Sequence, residues 1–191
     1  DLFNYMALIV CARARDYAEI TFHKFADELE AKDAAGQYAF GAPENEKHRV
    51  TWEGIAVWTY LGATFKGLKN QGAVMTGSAY PGLWSLVYTP GDLESMAEAY
   101  TNVYINTCGP NRYEEFHKVV KNSKSDGIVL HLNRSCKLMG LLNNEGAEYV
   151  NAKMGVPYVS FDGDQTDPRV FTPAQYETRV QALTEMMDEN Q

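Results

Sequence analysis

Hydrophobic positions follow two rhythms along this chain. Over residues 1 to 35, apolar side chains recur at helical spacing, at Phe3, Met6, Ala7, Val10 and Cys11 and again at Ile20, Phe22, Phe25, Ala26 and Leu29. The stretch AAGQYAFGAPENEKH interrupts that rhythm, and Gly36, Gly41 and Pro43 predict a loop there. Beyond it, short apolar runs alternate with amphipathic ones. RVTWEGIAVW predicts a strand ending near Trp52 to Gly54, and WTYLGATFKGLKNQ a helix. GAVMTGSAY predicts a second strand. PGDLESMAEAYTNVY and PNRYEEFHKVVKNSK predict helices that open on Pro or on an Asp or Asn cap. DGIVLHL predicts a third strand, RSCKLMGLLNNEGAEYVNAKM is mostly helical, and VPYVSFDGD predicts a fourth strand. TPAQYETRVQALTEMMDEN closes the chain as a helix, with Thr172 as N-cap and Pro173 at the first helical position.

Strands that alternate with helices imply a parallel sheet covered on both faces. The expected fold class is α/β, a Rossmann-like three-layer sandwich. Its four-stranded, mainly parallel sheet has the order 2-1-3-4, with right-handed crossovers. An N-terminal helical segment and linker at 1–45 precede this domain, at 46–191. Chain reversal between the first and third strands opens a crevice at their carboxyl ends, where ligands usually bind in such sheets.

Candidate chemistry collects on that edge. The first strand delivers Trp52, Glu53 and Gly54; the second delivers Thr76, Gly77, Ser78 and Tyr80, with Trp84 shortly after. The third delivers His131, Asn133, Arg134, Ser135 and Cys136; the fourth delivers Phe161, Asp162, Gly163 and Asp164. Cys136 falls at the start of a helix beside Arg134 and Lys137, a setting that favours a thiolate. A thiolate serves as nucleophile or soft metal ligand; a small buried thiol that fills space is the plain alternative. A nucleophile needs a base, and His131 has no evident third group to orient it. Inside an apolar strand, His131 is more often a satisfied core residue. Glu53 suits ligand binding or proton transfer, and equally a salt-bridged carboxylate. Tyr80, Trp84 and Tyr88, at four-residue spacing, suggest one face of a short helix that lines an acyl pocket or packs the core. The carboxylates of FDGDQTD lack EF-hand spacing and read better as a solvated turn than as a cation site.

Composition narrows the classes. With 17 Lys and Arg against 25 Asp and Glu the formal charge is −8, which argues against a general nucleic-acid binder. Hydrophobic residues at 45% support a globular core. No apolar run reaches membrane-span length, and the run Met6 to Ala12, followed by Arg13 and Arg15, has no basic region ahead of it and no small-residue cleavage site, so a signal peptide is not expected. A cytoplasmic protein is expected. Three widely spaced cysteines, Cys11, Cys108 and Cys136, make neither a disulfide framework nor a zinc site; one ligand of a shared site is compatible with them. GSAYPG is not a P-loop, and no GxGxxG is present.

EKHRVTWEGIAVW, DGIVLHLNRSCK, GVPYVSFDGDQTD and ETRVQALTEMM together resemble the 2-hydroxyacyl-CoA dehydratase family, which includes 2-hydroxyglutaryl-CoA dehydratase and benzoyl-CoA reductase subunits. The resemblance runs from about Glu46 to the C-terminus and more loosely over the preceding helices. It implies the C-terminal half of a large subunit, whose [4Fe-4S] cluster is held by cysteines from two Rossmann-like domains. Cys136 would be one of them, with Arg134, Ser135 and Lys137 around it. FMN is a second cofactor the family allows. The implied reaction eliminates water from an (R)-2-hydroxyacyl-CoA through a ketyl radical, after one-electron activation by an ATP-dependent iron–sulfur activator. The implied partners are an N-terminal half, a second related subunit, that activator and the acyl-CoA. The site set on this reading is Cys136 as metal ligand, Glu53, His131 and Ser135 as catalytic residues, and Trp52, Tyr80, Trp84 and Arg134 against substrate. Alternatives are an electron-relay partner subunit, a benzoyl-CoA reductase-type subunit, and a metal-free α/β domain for a small ligand.

Overall fold

The computed structural model describes residues 2–12, 15–41 and 43–190. The chain divides into two compact units, Asp1–Glu46 and Lys47–Gln191. The first unit holds two helices, α1 (Leu2–Cys11) and α2 (Asp16–Ala34), within the stretch whose apolar periodicity is helical. Tyr5 of α1 stacks on Phe25 of α2 with ring centroids 4.1 Å apart, and Phe22 meets Phe25 edge-on. No residue of α2 is buried, so Ile20 and Leu29 of its apolar stripe stand exposed.

The second unit contains β1 (His48–Glu53), α3 (Leu61–Asn70), β2 (Ala73–Ser78), α4 (Leu93–Thr101), α5 (Gly109–Asn122) and β3 (Gly127–Asn133). It continues with α6 (Lys137–Gly140), α7 (Asn143–Met154), β4 (Tyr158–Gly163) and α8 (Pro173–Glu189). All three strand pairs are parallel, and the sheet order is β2-β1-β3-β4, as expected from the alternation of elements. The helix after β1 and the helix after β3 lie on opposite faces, because the crossovers run in opposite directions from β1 while keeping one hand. Helices α3 and α8 cover one face, α5 and α7 the other.

Each face has its own core. Ile128 and Leu130 of β3 pack with Phe116 and Val120 of α5 and with Ala147 and Val150 of α7. On the other face Trp52 and Phe161 meet Tyr176 of α8 in tilted and edge-on ring contacts, 6.5 and 4.8 Å between centroids. Tyr176 also donates to the Thr64 carbonyl of α3 at 3.0 Å. The two helices approach closely because residue 67 is glycine: a Cβ there would lie 2.7 Å from the Tyr176 ring.

Local chemistry explains some element ends. Asp92 caps α4 by accepting from the Glu94 and Ser95 amides at 3.0 and 3.2 Å. Gly155 ends α7 in the left-handed conformation. Pro173 opens α8, but the Thr172 side chain makes no capping bond, so α8 relies on tertiary packing at its start. The predicted helix 134–154 is two, a single turn at α6 and then α7. Tyr80, Trp84 and Tyr88 do not share a helix: Pro81–Trp84 is one short 3₁₀ turn, and Tyr88 lies in the irregular segment after it. Among the described residues, no helix is long and apolar enough to cross a membrane.

Gly67→Ala should lower stability by about 1–3 kcal/mol, because overpacking against a buried ring outweighs the gain in helix propensity. A denaturant midpoint at or above wild type would show that α3 and α8 part freely.

Candidate functional site

Alternation along β1 sends neighbouring side chains to opposite faces of the sheet. Trp52 turns toward α8 and is 1% exposed; its Nε1 donates to the Gly54 carbonyl at 3.1 Å. Glu53 turns toward α5 and is also buried. There Tyr104 donates its hydroxyl to Glu53 Oε1 at 2.9 Å, and Arg112 Nη2 lies 3.8 Å from the same oxygen. Glu53 Oε2 is buried with no hydrogen-bond partner among the described residues. Burial pushes the Glu53 carboxyl from the ordinary 4.5 up to about 7, while the Arg112 charge and the Tyr104 hydroxyl pull the other way.

Arg112 comes from the first turns of α5 and is 2% exposed. Its guanidinium donates to the Leu138 carbonyl at 2.7 Å, the Met139 carbonyl at 3.2 Å and Asn143 Oδ1 at 2.9 Å. It also lies over the Tyr104 ring, 4.7 Å from the centroid. One buried cation therefore joins the end of β1, the connection before α5 and the segment between β3 and α7.

The turn after β3 is ordered from below. Asn133 is buried, and its Oδ1 accepts from Ser135 N at 3.4 Å, Ser135 Oγ at 3.2 Å and Gln165 N at 3.2 Å. That side chain ties the turn after β3 to the turn after β4. Asp164 accepts from the Thr166 and Asp167 amides at 2.9 and 3.0 Å, and these bonds hold its carboxyl well below the usual carboxylate range. Asp167 pairs with Arg169, at 2.6 Å between Oδ2 and Nη2, and Asp162 faces Arg134 at 3.6 Å. The acidic turn is thus internally paired, and Asp164 is buried rather than solvated.

Cys136 is half-buried at the head of the single-turn α6. Its amide donates to the Asn133 carbonyl at 3.3 Å, and its carbonyl accepts from Gly140 N at 3.1 Å. One helical turn carries less dipole than the long helix predicted after it. Tyr80 shares this corner: burial raises its hydroxyl, a hydrogen bond with Trp58 opposes that, and charge on Cys136 adds to the rise. Trp84 meets Tyr80 edge-on at 6.5 Å.

The predicted site residues fall in three places, the carboxyl edge, the α3/α8 core and, for Glu53, the α5 face. Cys136, Ser135, Arg134, Tyr80 and Trp84 sit on the carboxyl edge, with Ser135 and Arg134 exposed. Trp52 and His131 lie in the α3/α8 core, on the opposite face from Glu53. His131 is fully buried, stacks on Phe161 at 5.1 Å, and pairs through Nδ1 with the Ile55 carbonyl. Burial lowers its pKa, which favours the neutral ring, and the Ile55 contact ties the segment after β1 to β3. Tyr104, Arg112 and Asn143 were not singled out by sequence. A signal for Arg112 existed: it falls on the i, i+4, i+8 stripe with Phe116 and Val120, a charge on an apolar helix face. Among the described residues no group of three His, Cys, Asp or Glu side chains could hold a metal ion. Cys11 and Cys108 are free and exposed.

A parallel sheet with a switch point between β1 and β3, and a thiol in the turn after β3, defines a doubly wound α/β domain. The chain belongs to the family described as 2-hydroxyglutaryl-CoA dehydratase, D-component, whose model matches residues 1–187. It is 61% identical over 192 residues to lactoyl-CoA dehydratase subunit alpha of Anaerotignum propionicum, covering 100% of this chain and 45% of that protein. It is 43% identical to the (R)-2-hydroxyisocaproyl-CoA dehydratase alpha subunit of Clostridioides difficile, over 99% of this chain and 46% of that protein. It is 39% identical to the (R)-2-hydroxyglutaryl-CoA dehydratase alpha subunit of Acidaminococcus fermentans, over 100% of this chain and 39% of that protein. The chain spans less than half the length of these curated relatives.

The Glu53 carboxyl gives a pH test. Between 4.5 and about 7 the folded chain keeps a proton that the unfolded chain has released. The stability from this group is therefore full below 4.5 and is lost as pH rises through about 7. Relative to wild type, Glu53→Gln should gain up to roughly 3 kcal/mol between pH 4.5 and pH 8. Urea unfolding of both proteins at the two pH values checks this. A constant difference would mean that Glu53 titrates as an ordinary carboxylate.

Proposed function

We propose that this chain is part of the alpha subunit of a 2-hydroxyacyl-CoA dehydratase, a hydro-lyase that removes water from a short (R)-2-hydroxyacyl-CoA to give the 2-enoyl-CoA. The observation that carries this is the 61% identity to the lactoyl-CoA enzyme over the whole of this chain. Lactoyl-CoA is accordingly the first substrate to test. The reading includes a second, related subunit, an ATP-dependent iron–sulfur activator that delivers one electron, and a cytoplasmic, oxygen-free setting.

The reading also includes a [4Fe-4S] cluster. The donor set fits one corner of such a group: a half-exposed thiol on an ordered turn at the carboxyl edge of the sheet. No complete ligand set exists among the described residues, so the other donors must come from outside them. When bound, the cluster would supply Lewis acidity and a local electron, which the loss of a non-acidic proton requires.

The chain's own residues have more definite tasks. Cys136 offers the thiolate. Ser135 presents a hydroxyl beside it, anchored on Asn133 Oδ1 at 3.2 Å. Tyr80 and Trp84 form an aromatic wall at the same corner and keep water from an acyl chain lying there. Glu53 and His131 are buried, which supports roles in holding the edge rather than in touching substrate.

The test is iron and acid-labile sulfide content of the anaerobically purified native assembly, wild type against Cys136→Ala. The variant should lose about one cluster's worth of iron, as a thiolate ligand requires, and its turnover of lactoyl-CoA should fall at least about a hundredfold. Unchanged iron would remove Cys136 from the ligand set; no iron in either sample would favour a metal-free α/β ligand-binding domain.

A further inference from the structure

The turn that carries Cys136 has a weak frame of its own. Helix α6 is four residues long, and the carbonyls at the end of so short a helix have few intrahelical partners. Leu138 and Leu141 are 61% and 67% exposed, so apolar burial from these two side chains does little to pin the segment. Met139, 2% exposed, anchors the turn on its apolar side; its polar anchor is a side chain from another element. Arg112 reaches the Leu138 carbonyl with Nη1 and both the Met139 carbonyl and Asn143 Oδ1 with Nη2. These three acceptors begin two residues past Cys136 and extend into α7.

We propose that Arg112 is the positioning residue for the Cys136 thiol, acting through the backbone of residues 138–143 without touching the sulfur. The guanidinium can do this because its own place is fixed from behind. Tyr104 lies under its plane, and Glu53 stands 3.8 Å away. Glu53 is buried and Tyr104 partly buried, and Tyr104 donates to Glu53 at 2.9 Å. The planar fork satisfies three acceptors in fixed directions at once; a lysine ammonium keeps the charge and loses that geometry. A cation at the carbonyl end of the turn also opposes its partial negative charge. Thiol placement stands on this geometry alone. Its consequence for an iron–sulfur cluster rests on the function proposed above.

The test reads the thiol directly. In metal-free full-length protein, alkylation by iodoacetamide is followed by peptide mass spectrometry, with the exposed Cys11 and Cys108 as internal references. Arg112→Lys should raise the rate at Cys136 relative to Cys108 about fivefold or more, as local opening frees a half-buried group. Asn143→Ala, which removes one of the three acceptors, should move the ratio in the same direction by less, and serves if the lysine variant does not fold. Leu183→Ala, a core truncation in α8 on the other face, should leave the ratio unchanged. An unchanged ratio in Arg112→Lys and Asn143→Ala, or an equal rise in Leu183→Ala, overturns the proposal. In the iron-loaded assembly, Arg112→Lys should also release iron to a chelator faster than wild type. Failure of the cluster reading itself would appear separately, as unchanged iron in Cys136→Ala.

Discussion

A guanidinium taken out of water has to be answered where it lies, and much of the polar architecture here follows from how Arg112 is answered. Its ion-pair partner is a weak one: Glu53 is 3.8 Å away, and burial pushes that carboxyl toward its neutral form. Taking two charges into a low-dielectric interior costs more than a loose contact returns. The stronger partners are neutral acceptors, two backbone carbonyls and an amide oxygen at 2.7 to 3.2 Å. The net effect is a cross-link between the end of β1, the connection before α5 and the segment between β3 and α7. Removing Arg112 would strand those acceptors together.

The sheet's two-residue alternation then decides which groups can cooperate. Glu53 pairs across the ladder with Leu130, and both face α5. Trp52 and His131 face α8, where they share one aromatic core with Phe161 and Tyr176. Residues adjacent in sequence at the end of β1 are thus divided between two environments. Only the turns beyond the strand ends, free of the pleat, bring side chains from different strands to a common edge. Asn133 is the hinge between these regimes: still on β3, it spends its side-chain oxygen on the turns after β3 and β4.

Period and punctuation made the fold legible. Alternating strands and helices led directly to the parallel order, and Asp92 and Pro173 marked true helix starts. Thr172 shows the limit of such marks, since a residue of the right type at the right place makes no capping bond. Tyr80, Trp84 and Tyr88 show another: four-residue spacing implies a shared face only if a helix runs through all three, and Pro81 opens a turn that stops at Trp84. The thiol edge was readable because Cys136 follows a strand at once. The cluster that orders it was not, because Tyr104, Arg112 and Asn143 are brought together across separations of 8 and 31 residues by helix packing. Spacing carries no record of such contacts; a lone charge on an apolar stripe is the most it shows.

Interior and edge therefore divide the chemistry. Glu53, Arg112, His131 and Asn133 are each 3% exposed or less, and their hydrogen-bonding capacity is directed largely inward. Ser135 and Arg134 face solvent, Cys136 does so in part, and Leu138 and Leu141 flank them with apolar surface. A ligand approaching the crevice would meet a thiol, a hydroxyl, a guanidinium and an aromatic pair, all mounted on turns whose backbone is held by buried groups. Such an edge presents a half-buried thiol on an ordered backbone. Accuracy at that one position depends on groups that the ligand never touches, and it is there that substitutions distant from Cys136 can act on it.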